Sequence, residues 1–232
     1  MPAQAAARSA LTADERKLGA IVIDIGGAVT SLALIRDDKI LAAESISLGG
    51  MHLTNDVAQG LSTSIAHAER MKTLWGTLIE GGHNEREMLA VPLLGERGTD
   101  AMQRVPRSHL TTILRARVEE ILEHCVARLA TPAFAAGAGC RVILTGGTSQ
   151  LPGLAELAAK LLQHSVRIGS LAAVNGLLPQ HQHPGMAACV GTILLAAQPQ
   201  PQYALPQETQ AAFARANQGY ARRLSHWLAA AF

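Results

Sequence analysis

Gly19 to Ile35 reads GAIVIDIGGAVTSLALI, and the reading of this stretch decides how the chain is organised. Ala20 to Ile23 is a short apolar run rich in β-branched residues, the pattern of a buried strand. Asp24 closes it, Gly26-Gly27 turns the chain, and Thr30 to Ile35 is a second apolar run. The expectation is a hairpin with a carboxylate and a glycine pair at its mouth. Glycine there admits a positive φ and lets backbone N–H groups face a cavity that suits a phosphate. Many turns of this composition are only tight hairpins, so D-x-G-G alone leaves both readings open.

A second glycine pair lies far downstream. Cys140 to Leu144 is another β-rich run, leading into Thr145-Gly146-Gly147-Thr148-Ser149-Gln150 and then Leu151-Pro152-Gly153-Leu154 and a helix. Two glycine turns, each closing a strand, are the arrangement of a nucleotide held between them. On these motifs the chain resembles the actin/Hsp70/sugar-kinase superfamily. Asp24-Ile25-Gly26-Gly27 looks like its second phosphate motif, and Leu144 to Thr148 like its adenosine motif.

The resemblance narrows with LGGMHLTND at 48–56, AHAERMK at 66–72, ILRARVEE at 113–120 and RLSHWL at 223–228. Taken jointly and in this order, over nearly the whole chain, they are similar to the FtsA family of bacterial cell-division proteins, which are actin homologues. The implied fold class is α/β: an actin-like, ribonuclease H-like second lobe with an inserted α+β subdomain and a C-terminal amphipathic helix. On that pattern residues 1–61 and 139–197 form the discontinuous subdomain 2A and residues 62–138 the inserted subdomain 2B. Residues 198–216 are a linker and 217–232 a membrane-targeting helix.

The resemblance also implies roles. The cofactor is ATP with Mg, contacted by Asp24, Gly26, Gly27, Thr30, Gly146, Gly147 and Thr148, with Glu69 and Lys72 on the adenosine. From spacing alone, Glu69 and Lys72 share a helix face and read as a solvated ion pair. Arg117 and Glu120 match the residues with which the family's inserted subdomain holds the C-terminal peptide of the tubulin-like FtsZ, and an Arg fork suits a carboxylate. Self-association of the actin kind and a place on the cytoplasmic face of the cell membrane at the division site follow from the same likeness.

The sequence departs from the family in three places. Ala28-Val29 stands where Gly-Thr is common, which predicts a strained β-carbon at a position of positive φ and a lost phosphate-binding hydroxyl. Ala116 stands where the family often has proline. About nineteen residues precede the first strand, without room for a first lobe and its phosphate loop. The expectation is therefore the C-terminal half of the fold, with weak or absent ATP binding and no hydrolysis, since no residue is placed as a general base. Two rivals stay open: a half-domain of a sugar-kinase-type ATPase that needs a separate first lobe, and a non-functional truncated remnant.

Composition sets the bounds. In 232 residues, 48% are hydrophobic, 16% charged and 3% aromatic, which gives an aliphatic, alanine-rich core and excludes a disordered chain. A net charge of +2 argues against a nucleic-acid partner. Cys125, Cys140 and Cys189 are widely spaced, with no CxxC, a pattern that suits neither a zinc site nor a disulfide framework. His181-x-His183 lacks an acidic or cysteine partner nearby and reads as a polar loop.

In chain order, residues 3–18 read as a helix whose end is capped by Thr12 with Glu15. Lys39–Ser47 reads as a strand, and 52–61 and 64–75 as helices. Residues 81–104 read as loop-rich with one strand near 88–93, and 108–130 as a long helix. Residues 131–139 read as a flexible return, and 152–164 as a helix. Val166–Ile168 reads as a strand, and the residues from Pro184 to about 197 as a helix. After the Gln/Pro-rich linker, Tyr220, Leu224, Trp227, Leu228, Ala231 and Phe232 fall within an arc of roughly 140° on a helical wheel, with Arg222, Arg223 and His226 outside it. That pattern suits a membrane surface, with Arg223 at its polar edge.

Overall fold

The computed structural model describes residues 1–81, 86–95, 102–171 and 176–197. Residues Met1–Leu195 make one unit. The expected linker and the amphipathic segment bearing Tyr220, Arg223, Leu224, Trp227, Leu228 and Phe232 lie outside the described residues.

Strands β1 (Ala20–Ile25) and β2 (Thr30–Arg36) form the expected hairpin, and β3 (Lys39–Ile46) continues it antiparallel. Strand β6 (Arg141–Thr145) pairs parallel to β1, and β7 (Val166–Ile168) parallel to β6, which gives the order β3-β2-β1-β6-β7. Successive side chains of a strand point to opposite faces. Ile21, Ile23, Ile25, Leu32 and Leu34 therefore belong to one core, and Ala20, Val22, Ala33 and Ile35 to another.

The first core is covered by α3 (Gly50–Gly60), α4 (Ile65–Trp75), α5 (Arg107–Leu129) and α6 (Leu154–Leu162). Leu110, Leu114, Val118, Ile121, Leu122 and Cys125 form the buried stripe of α5 at helical spacing. Burial pushes the Cys125 thiol up to about 12, so it acts as a small apolar side chain. Helix α5 runs unbroken through Ala116. A two-stranded sheet of β4 (Met88–Pro92) and β5 (Met102–Pro106) lies before it, and β5 was not expected from the sequence.

The second core is covered by α1 (Pro2–Ala10) and α7 (Ala187–Ala197). A Cβ built at Gly191 would stand 1.7 Å from the carbonyl oxygen of Ala5, so the two helices touch through their backbones. The expected single N-terminal helix is two: Leu11 is extended, and α2 (Ala13–Leu18) starts afresh behind the Thr12–Glu15 capping box. Arg167, from β7, grips the same Glu15 with Nε at 2.8 Å and Nη2 at 2.5 Å. The expected flexible return is a 3-10 segment, Pro132–Gly137, anchored by the buried ring of Phe134.

Candidate functional site

Both glycine turns open onto one cleft of about 430 Å³, inside the range of roughly 300–1,000 Å³ usual for ligand clefts. Gly26, Gly27, Glu69, Lys72, Gly147 and Thr148 line it, together with Gly50, Met51, Leu151 and Pro152. Of the expected site residues, Asp24, Thr30 and Gly146 are not on the lining.

Asp24 continues β1 and does not end it. It falls opposite Thr145 in the parallel register, and Thr145 Oγ1 donates to its Oδ1 at 2.8 Å. Burial pushes the Asp24 carboxyl up, against the lowering effect of that hydrogen bond. Thr30 is fully buried and donates to the carbonyl of Leu48 at 2.8 Å. Both side chains hold the strands that carry the turns.

The glycines divide their work differently from the sequence expectation. Neither Gly26 nor Gly27 has a positive φ, and neither does Ala28, so the predicted strain at Ala28 does not arise. The demand for glycine comes from close approach. A Cβ at Gly49 would stand 2.6 Å from the carbonyl oxygen of Gly26 and 2.7 Å from that of Gly27. Those carbonyls accept from the first amides of α3: Gly50 N to Gly26 at 2.8 Å and Met51 N to Gly27 at 2.7 Å. Helix α3 therefore spends its N-terminal donors on the glycine turn. At the other turn, Gly146 has φ +87° and its backbone abuts Ile25, whereas a Cβ at Gly147 would meet nothing within 4 Å.

Lys72 and Glu69 pair with each other on the cleft lining, the lysine largely buried and the glutamate half-exposed. The Lys72 side chain is 12% exposed, and its ammonium donates to Glu69 Oε2 at 2.7 Å, Thr54 Oγ1 at 2.8 Å and the Gly50 carbonyl at 3.1 Å. An ammonium has three donors, and all are used. Glu69 also takes the hydroxyl of Thr54. Burial raises its carboxyl, but the hydrogen bonds from Lys72 and Thr54 outweigh that and leave it below its ordinary value. Thr54, fully buried, was missed in the sequence because a threonine inside a helix carries no distinguishing signal.

Arg117 and Glu120 lie on α5, away from the cleft lining, and a hydrogen bond joins them. Arg117 also forks onto Asp56 of α3, with Nε 2.5 Å from Oδ2 and Nη2 2.9 Å from Oδ1. Those bonds raise the Arg117 pKa further above its ordinary value. Among the described residues, no three His, Cys, Asp or Glu side chains gather as metal ligands, and no helix is long and apolar enough to cross a membrane.

A hairpin and a strand–turn–helix closing on one cleft are the half-clamp of an actin-like lobe. The family described as Cell division protein FtsA matches residues 21–191. The chain belongs to the FtsA family. It is 40% identical over 186 residues to Cell division protein FtsA of Rhizobium meliloti (strain 1021), covering 80% of this chain and 42% of that one. Against the FtsA of Bacillus subtilis (strain 168) the figures are 36% over 166 residues, 72% and 37%. Against that of Neisseria meningitidis serogroup B they are 30% over 236 residues, 98% and 55%. The chain thus spans about half, or less, of the length of these relatives.

Among solved structures, MreB5 of Spiroplasma citri bound to ADP superimposes with TM-score 0.65 at 20% identity, over 84% of this chain and 58% of that one. The PilM-PilN type IV pilus biogenesis complex gives 0.58 at 23%, over 81% and 48%. These likenesses show the actin-like fold.

Proposed function

We propose that this chain works as an adaptor of the division machinery on the cytoplasmic face of the cell membrane. The α5 surface with Arg117 and Glu120 holds the C-terminal peptide of FtsZ, and the 217–232 segment rests on the lipid surface. The cleft takes an adenine nucleotide weakly. The observation that carries the reading is the convergence of both glycine turns on one cleft in a chain of the FtsA family.

The residues present suit part of the nucleotide. The open space at Gly147 leaves room for a phosphate or sugar to approach the backbone, and Met51, Leu151 and Pro152 offer apolar walls for a base. They do not suit Mg, because the Asp24 carboxylate is buried, hydrogen-bonded and away from the lining. Self-association is part of the proposal, as in actin-like relatives.

Fluorescence anisotropy with a labelled FtsZ C-terminal peptide tests the partner. Arg117→Glu should weaken binding at least tenfold; an unchanged affinity would remove α5 from the peptide site.

A further inference from the structure

The pairing of Asp56 with Arg117 joins α3 to α5 across 61 residues and plays no part in the cleft. Asp56 occupies the side-on edge of the guanidinium through Nε and Nη2, and Glu120 takes a proton of Nη1. A guanidinium has five N–H groups, so one on Nη1 and one on Nη2 remain. The side chains of Arg117, Asp56 and Glu120 are 25%, 24% and 43% exposed, so the group is partly open to solvent. Two carboxylates around one guanidinium leave the cluster with a net charge of −1.

We infer that Asp56 is a resident competitor for the Arg117 guanidinium, and that it limits how tightly this surface of α5 takes an acidic ligand. The inference rests on the reading of α5 as a peptide-binding surface and adds its control. An incoming carboxylate either shares the two remaining N–H groups beside two like charges, or displaces Asp56 and leaves it without its fork. Both routes weaken the acidic contact relative to an unopposed arginine. Specificity then comes from a repulsive element built into the free protein, so that charge alone does not capture any acidic segment. Asp56 also fixes the orientation of the guanidinium, and the two effects separate by substitution. Asparagine keeps an acceptor oxygen for Arg117 and removes the charge; alanine removes both.

The test is anisotropy on the full chain with a labelled FtsZ C-terminal peptide, and with the same peptide carrying Asn and Gln for its Asp and Glu. Asp56→Asn should tighten the acidic peptide about tenfold, which corresponds to about 1.4 kcal/mol. Most of that gain should vanish when Arg117→Ala is added, because the competitor acts chiefly through the fork and only the like-charge repulsion from Asp56 is then left to relieve. Wild type, which needs no variant to fold, should bind the two peptides within about threefold of each other, because the cluster is already negative. Arg117→Ala weakening the peptide while Asp56→Asn leaves it unchanged or weaker would overturn the competitor and keep the peptide surface. A wild type that prefers the acidic peptide more than tenfold would overturn it too. If Arg117→Ala changes nothing, the peptide surface itself fails, and the inference with it.

Discussion

The ammonium of Lys72, on α4, donates at 3.1 Å to the carbonyl oxygen of Gly50, the first residue of α3. Gly50 in turn donates its amide to Gly26 at 2.8 Å. A single relay thus runs from the first glycine turn through the start of α3 to α4. The cleft wall and the cleft floor are held by the same bonds.

Lys72→Met keeps the aliphatic stem and deletes three donors. Hydrogen bonds to charged groups are worth roughly 1.5–3 kcal/mol each when buried. Glu69, left behind, is 46% exposed and regains water, which discounts the loss. The expected destabilisation is about 1–3 kcal/mol, read as a lower urea midpoint with an unchanged slope. An unchanged midpoint would mean that the ammonium holds nothing together.

The two glycines of the second turn should respond differently. At Gly146, φ is +87° and a Cβ would stand 2.3 Å from the carbonyl oxygen of Ile25, a backbone atom that cannot swing aside. Gly146→Ala should leave little folded protein in the soluble fraction. Gly147→Ala should fold with a melting temperature near wild type, because its Cβ enters open space. If a nucleotide approaches that backbone, Gly147→Ala lowers its affinity further in a calorimetric titration with Mg-ATP. For wild type we expect weak or undetectable heat; a micromolar Kd would overturn the weak-site reading.

Much of this was readable in the residues. The Ala20–Ile25 and Thr30–Arg36 hairpin, the Thr12–Glu15 box and the α5 stripe announce themselves because each rests on local periodicity or capping. The meeting of the glycine turns was legible through the family's motif order, since 120 residues separate Gly26 from Gly146. What failed was tertiary. The motif predicts positive φ at Gly26-Gly27, whereas neither has it, and the close approach to their carbonyls falls on Gly49, just before α3. Strand β5, MQRVP, lacks a run of β-branched residues and is defined only by its partner β4. Asp56 carries no local signal for Arg117, because the fork that unites them is made by the fold.

For the C-terminal segment the prediction rests on sequence alone. Burying one large apolar side chain is worth about 1.5–3 kcal/mol at most, and burial at a lipid surface is partial. A single segment should bind anionic vesicles weakly, and many copies on one polymer much more strongly. Trp227→Glu should abolish co-flotation with anionic vesicles; continued co-flotation would count against the anchor.

The acid limb of stability should depend on Glu15. Its hydrogen bonds from Arg167 hold the carboxyl below the ordinary value of 4.5, with Thr12 contributing and partial burial opposing. A lowered carboxylate stabilises the fold in full above its unfolded pKa and loses that contribution as pH falls through the folded one. Glu69 has the same sign. Asp24 has the opposite sign: raised by burial from 3.8, it disfavours the fold when ionised and is relieved on protonation. Glu15→Gln should therefore lower the urea midpoint at neutral pH and converge on wild type only as pH falls through the lowered folded pKa of Glu15, below which both side chains are neutral. Because Glu15 ties the α2 cap to β7, the loss at neutral pH should be about 1.5–3 kcal/mol. Parallel wild-type and variant curves across that window would show that the ion pair adds nothing beyond its shape.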